Sequence, residues 1–359
     1  YLAYGRHAQY QAVVLLTTCL SLLMAYHFYR RGRSLNLGLA AFLLGVGLLA
    51  HYDLLLVLPP VAYLAWQLGC QQRLQVHHLR RHVVWVVAIL IVGAVSALFY
   101  LPYVFRPHIA STSSYLSRII GVRDWPANNF DELYLYSVLY NSAYFAIVMV
   151  VLSLARIVAD LGLSVNQGDA RTSRWLASAA LIAVCLLMVA FGLACYVPLI
   201  VSCAVFLVLA TSSSLSTERR VIYVWMGTAF IAYMFLVDHP RNHLQVIFPG
   251  CSILAALAIK GLIRKLRDWL PAVSSPPYTA GLVVVGLAVL LFLAGYHYLL
   301  FVDTQTEYFL TYPEHKSSLY WEDPNFPFGS RRPYGAPHRL GWQMINQLYL
   351  DGTLQGDWD

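Results

Sequence analysis

Charge in this chain is confined to short connections between long apolar runs, and that confinement leaves few folds open. From Leu35 to Leu68 there are thirty-four residues and one formal charge, Asp53; from Val83 to Val104 there is none. About 20 consecutive apolar residues are what a helix needs to cross the hydrocarbon of a bilayer. A soluble domain carries roughly a quarter of its residues charged, whereas here 11% are charged, 59% are hydrophobic and the mean hydropathy is +0.60. The expected fold is all-α: a polytopic bundle of transmembrane helices. The net charge of +7 does not point to nucleic acid, because the Lys and Arg residues gather in a few short loops, as they do on the cytoplasmic side of membrane proteins.

Ten spans can be read. The first runs from about Tyr10 to Tyr29 and is closed by Arg30-Arg31-Gly32-Arg33. The tract Leu35 to Leu68 is too long for one span and divides at His51-Tyr52-Asp53 into two short helices, with Pro59-Pro60 expected to kink or break the second. Val83 to Val104 is the fourth, and about Asp131 to Ala155 the fifth. Arg156 to Arg174 reads as a loop of mixed charge. Trp175 to Leu193, Tyr196 to Thr211, Val221 to Val237, His243 to Gly261 and about Thr279 to Leu300 complete the set. Between the fourth and fifth spans, Tyr115, Leu116, Ile119 and Ile120 share one face of a short helix that would lie on the bilayer surface, ended by Trp125-Pro126.

These spans place the Arg-dense loops on one side, expected to be cytoplasmic. His51-Asp53, the loop before the fifth span, Asp238-His243 and the C-terminal segment fall on the other. Residues 1–302 read as a transmembrane domain and 303–359 as an acidic, Pro-rich extracytoplasmic segment with one helix near His338 to Leu350. The expected location is a plasma (inner) membrane. Tyr1 to Gln11 lacks a signal-peptide pattern, so the start reads as an internal position. The six cysteines show no metal-binding spacing and read as small buried hydrophobes. The histidines His77, His78 and His82 lie among arginines on the cytoplasmic side and read as headgroup contacts.

Chemistry concentrates in Val237-Asp238-His239-Pro240-Arg241-Asn242-His243, a polar turn between apolar helices. Such a turn is either a solvated loop tip or a ligand site. Arg241 offers a planar fork of donors suited to phosphate, or snorkels to lipid headgroups. His51 is a donor for an anion or a buried imidazole bonded to the backbone. Asp53 could pair with His51 or Arg241 or bind a divalent cation; pairing is favoured, since one carboxylate is a poor site for a metal. Arg6 could reach the same ligand or anchor the first span. Tyr52, Tyr140 and Trp125 could line a ligand site with an apolar face and a polar edge or be interfacial aromatics.

Four stretches in this order, Tyr4-Gly5-Arg6-His7, Ala50-His51-Tyr52-Asp53 with Leu58-Pro59-Pro60, Tyr140-Asn141-Ser142, and Arg241-Asn242-His243 with Phe248-Pro249-Gly250, resemble the GT-C integral-membrane glycosyltransferases. The likeness is to the bacterial relatives of the dolichyl-phosphate-mannose protein mannosyltransferases, and it extends over nearly the whole chain. It implies transfer of a sugar from a polyprenyl-phosphate carrier to a lipid, glycan or protein acceptor outside the cytoplasm, by inverting displacement at the anomeric carbon. It implies that Arg241, His243, His51 and Arg6 hold the donor phosphate, with Asp53, Asp238, His239, Tyr52 and Tyr140 in support. The family's acidic residue belongs to a loop whose exit Tyr1 to Tyr10 resembles, so the general base is expected upstream of Tyr1. Without that base the chain would be a non-catalytic scaffold of the same fold. A lipid-linked-sugar flippase is the third reading, disfavoured because polar groups do not spread along the spans.

Overall fold

The computed structural model describes residues 10–70, 78–105, 127–139, 143–166, 196–237, 240–269, 276–298 and 352. These residues are mostly helical, with no strand among them. In chain order the helices are α1 (Tyr10–Arg31), α2 (Ser34–Ala50), α3 (Leu58–Cys70), α4 (His78–Val104), α5 (Phe130–Leu139), α6 (Ala143–Asn166), α7 (Val197–Thr211), α8 (Thr217–Ile231), α9 (Phe248–Trp269) and α10 (Pro276–His297). Three tighter or wider turns complete them: 3₁₀ turns at Tyr52–Val57 and Arg241–Ile247, and a π turn at Ala232–Leu236.

Among the described residues, four helical stretches are long and apolar enough to cross a membrane: Gln11–Arg31, Val83–Pro102, Tyr144–Ser164 and His243–Lys265. Ser34–Ala50, Tyr52–Leu68, Val197–Thr211 and Val284–Tyr296 are apolar but shorter. The sixth of the ten expected spans, the surface helix near Tyr115 and the C-terminal segment with its helix lie outside the described residues, apart from Gly352. On α4, Ile89, Leu90 and Leu98 are each more than 60% exposed, an apolar face that suits lipid rather than water.

Two local expectations are corrected. Pro59 and Pro60 fall in the first turn of α3, where backbone N–H groups have no intrahelical partner to lose, so they open that helix instead of kinking it. The chain changes course before them, at His51, which takes an extended conformation (φ −168°, ψ 150°) and ends α2. The segment after Ala155 is no loop up to Asn166, because α6 continues through it. Its charges are absorbed as an i, i+4 ion pair between Arg156 and Asp160.

The described chain forms two compact units. The first comprises Ala3–Leu133 and Val148–Gly261, the second Tyr134–Ile147 and Leu262–Asp359. In the first, α1 packs on α2 and α3, α2 on α4, and α8 on both α3 and α7. Close approach of α1 and α2 depends on Gly47, where an added Cβ would collide with the Leu54 side chain and Thr17 Oγ1. One apolar cluster of this unit includes Phe28, Leu44, Leu64 and Leu68; another includes Phe206, Met226, Met234 and Leu254. In the second unit, Tyr296 packs against Tyr144, Phe145 and Phe292.

The ends of the first unit differ in chemistry. At one, α1 finishes at Arg30-Arg31, and Gly32 closes it with φ 67° while its N–H donates to Phe28 O at 2.7 Å, the left-handed cap that glycine supplies. There Arg30 Nη1 lies 3.4 Å from Glu218 Oε1 at the start of α8. The other end holds the polar turns at His51 and His243.

Candidate functional site

At that second end, the polar residues of two distant turns converge on one carboxylate. Asp53 is 2% exposed. It sits in the Tyr52–Val57 turn because His51 acts as a side-chain cap: the Asp53 N–H donates to His51 Nδ1 at 3.2 Å, which fixes the direction of the turn as an N-cap residue fixes a helix start. His51 Nδ1 also lies 2.9 Å from Asp53 Oδ1. From the Arg241–Ile247 turn, His243 Nδ1 approaches Asp53 Oδ2 at 3.1 Å. The Tyr233 hydroxyl donates a short hydrogen bond to Asp53 Oδ1. The rings stack on one another, His51 on His243 with centroids 4.8 Å apart, and Tyr52 and Tyr233 each 5.8 Å from His243.

Burial on its own would push the Asp53 carboxyl up. The hydrogen bonds and charges of His243 and His51 outweigh it and hold that carboxyl well below the usual carboxylate range. Asp53 is therefore an anion at neutral pH. The imidazoles are 14% and 17% exposed at their side chains, close enough to the surface to meet a ligand and held in place by Asp53 as they do so.

Tyr233 lies where α8 stops being a regular helix. Its last turn widens at Ala232–Leu236, with the Val237 N–H donating to Ala232 O at 3.0 Å. A π turn carries one more residue than an α turn and so rotates the residues beyond it. The segment before α5 stabilises it. Asn129 Nδ2 donates to Tyr233 O at 2.8 Å and Val237 O at 2.7 Å. Backbone N–H groups of Ala127 and Asn129 donate to Phe235 O and Met234 O.

Beside Asp53 is a small cavity whose lining includes Gln11, Thr18, Trp225, Gln245 and Pro249. Gln11 is 2% exposed, and neither Oε1 nor Nε2 has a hydrogen-bond partner. A buried amide in that state costs free energy until something donates to it and accepts from it.

Of the residues singled out in the sequence, His51, Tyr52, Asp53 and His243 come together here. Arg241 opens the 3₁₀ turn that delivers His243; its side chain, and all of Arg6, Trp125, Tyr140, Asp238 and His239, lie outside the described residues. Pairing of Asp53 with His51, one of the partners read from the sequence, is present, and His243 is a second. Tyr233, Gln11 and Asn129 were not legible as members of the site. Tyr233 is one Tyr in an apolar helix and only the π turn aims it; Gln11 is a lone amide in a span, the one signal that could have drawn attention to it. No family model, curated protein or solved structure matches the chain.

Proposed function

We propose that the chain is a membrane glycosyltransferase of GT-C type, moving a sugar from a polyprenyl-phosphate carrier to an extracytoplasmic acceptor. One observation carries the reading. Two of the stretches on which the resemblance rests, Ala50 to Asp53 and Arg241 to His243, meet at a single carboxylate although Asp53 and His243 are 190 residues apart in sequence. In the proposed arrangement about ten spans enclose the bundle, and the His51 and His243 turns open to the side away from the Arg-dense loops.

The chemistry assigned to these residues is electrostatic. An acceptor hydroxyl attacks the anomeric carbon from the face opposite the carrier, the bond from that carbon to the phosphate oxygen breaks, the phosphate leaves with the electron pair, and the hydroxyl proton passes to the general base that the resemblance implies. Charge grows on the leaving oxygens, so fixed donors aimed at them lower the barrier. Arg241 supplies a guanidinium fork and the imidazoles of His51 and His243 supply further donors. Asp53 is engaged by Tyr233 and both imidazoles, so its role is positioning rather than proton abstraction.

The test is donor turnover in membranes carrying the full chain, with polyprenyl-phosphate-mannose as probe. Arg241→Ala should reduce turnover by about a hundredfold or more, the scale of losing one transition-state donor, while the amount of inserted chain stays the same. Turnover equal to that of the unsubstituted chain would overturn the phosphate assignment.

A further inference from the structure

Three side chains from separate turns, His51, Asp53 and His243, place one ligand atom each within 4.8 Å of one another. Two imidazoles and a carboxylate are the donor set that holds zinc in many hydrolytic sites and iron in many oxygenases. Two of the three ligand pairs are also spaced for it, on separate oxygens of Asp53, while the set as a whole spans up to 4.8 Å. With metal–ligand bonds of about 2.1 Å, neighbouring ligand atoms at right angles are about 3.0 Å apart and tetrahedral ones about 3.4 Å. Here Nδ1 of His51 is 2.9 Å from Oδ1 and Nδ1 of His243 is 3.1 Å from Oδ2.

Two features lie beside these ligands. His51 Nδ1 faces a donor and an acceptor together, the Asp53 N–H at 3.2 Å and the Asp53 carboxylate at 2.9 Å. Independently, the cavity next to Asp53 holds the Gln11 amide with both polar atoms buried and unpartnered.

We propose that His51, Asp53 and His243 form a binding site for a divalent transition metal, Zn²⁺ in the first instance. Nitrogen donors favour Zn²⁺ over Mg²⁺ and Ca²⁺, which take oxygen ligands. Tyr233, bonded to Asp53, orients the carboxylate as an outer-shell partner orients a metal ligand. The site stands on its ligands alone and does not depend on the transfer reaction.

The experiment uses the full chain in detergent without a polyhistidine tag, stripped with chelator, reloaded with Zn²⁺ and passed through gel filtration; metal is measured by elemental mass spectrometry. The unsubstituted chain should retain zinc in equimolar amount, undisplaced by a large excess of Mg²⁺. His51→Gln and His243→Gln should each reduce retention to background. Tyr233→Phe keeps all three ligands and should still bind, about tenfold more weakly. A monodisperse unsubstituted chain that retains no zinc overturns the proposal, as does equal retention by the two His variants; displacement by Mg²⁺ overturns the transition-metal class.

Discussion

Single residues matter here through the company they keep. Asp160 is fully buried and receives Arg156, the Tyr223 hydroxyl at 2.7 Å and Arg219 at 3.4 Å. Removing the charge from such a network leaves the cations buried without compensation, which costs about 3–5 kcal/mol where the pair is fully desolvated. Since Arg219 is 37% exposed at its side chain, the lower end applies. Asp160→Asn should destabilise the first unit by about 3 kcal/mol, read as a fall in thermal unfolding temperature in detergent. Arg156→Met combined with Asp160→Leu should recover much of the loss, because the most buried charge pair is removed together and the remaining cation, Arg219, reaches solvent; a double variant as unstable as Asp160→Asn would contradict this. The network was hidden in the sequence because Arg156 and Asp160 lie among loop-like residues, and their i, i+4 spacing acquires meaning only once the helix is known to continue.

Among the elements, the break at His51-Tyr52-Asp53 was legible, since an apolar tract of that length with one charged interruption must turn there. The cause was not. Pro59-Pro60 drew attention as a helix breaker, yet the cap supplied by His51 sets the turn and the prolines begin the next helix. The π turn at Ala232–Leu236 has no sequence signal of its own; it depends on Asn129, a residue 104 positions from Tyr233. Asn129→Ala leaves the Tyr233 and Val237 carbonyls without that partner and should cost about 1–3 kcal/mol. If the π turn aims Tyr233, the variant should also weaken zinc retention in the way Tyr233→Phe does. Unchanged unfolding and unchanged retention would mean the strap is incidental. Gly227 tests packing in the same element: a Cβ there would meet Phe206 Cγ at 2.7 Å, so Gly227→Ala should destabilise by about 1–3 kcal/mol through overpacking between α7 and α8.

For the molecule as a whole, composition alone decided the class: a chain with so little charge builds its elements from long apolar helices. Four of them have the length and apolarity to span. The opposition of the Arg30 and Glu218 end to the Asp53 end comes from α1 and α8, each of which runs from one to the other. Single-cysteine variants, made in a chain whose native cysteines are replaced, should therefore divide cleanly. Arg33→Cys and Ser214→Cys should be labelled by an impermeant maleimide from one side of sealed vesicles, and His239→Cys from the other; labelling of all three from one side would refute the proposed orientation. The central claim, that the turns at His51 and His243 hold the phosphate of a polyprenyl carrier, is tested most directly by equilibrium binding of polyprenyl phosphate to the full chain in nanodiscs. Saturable binding, absent with the uncharged polyprenol and lost in Arg241→Ala, is the predicted result. Equal retention of polyprenol and polyprenyl phosphate, or undiminished binding by Arg241→Ala, would contradict it.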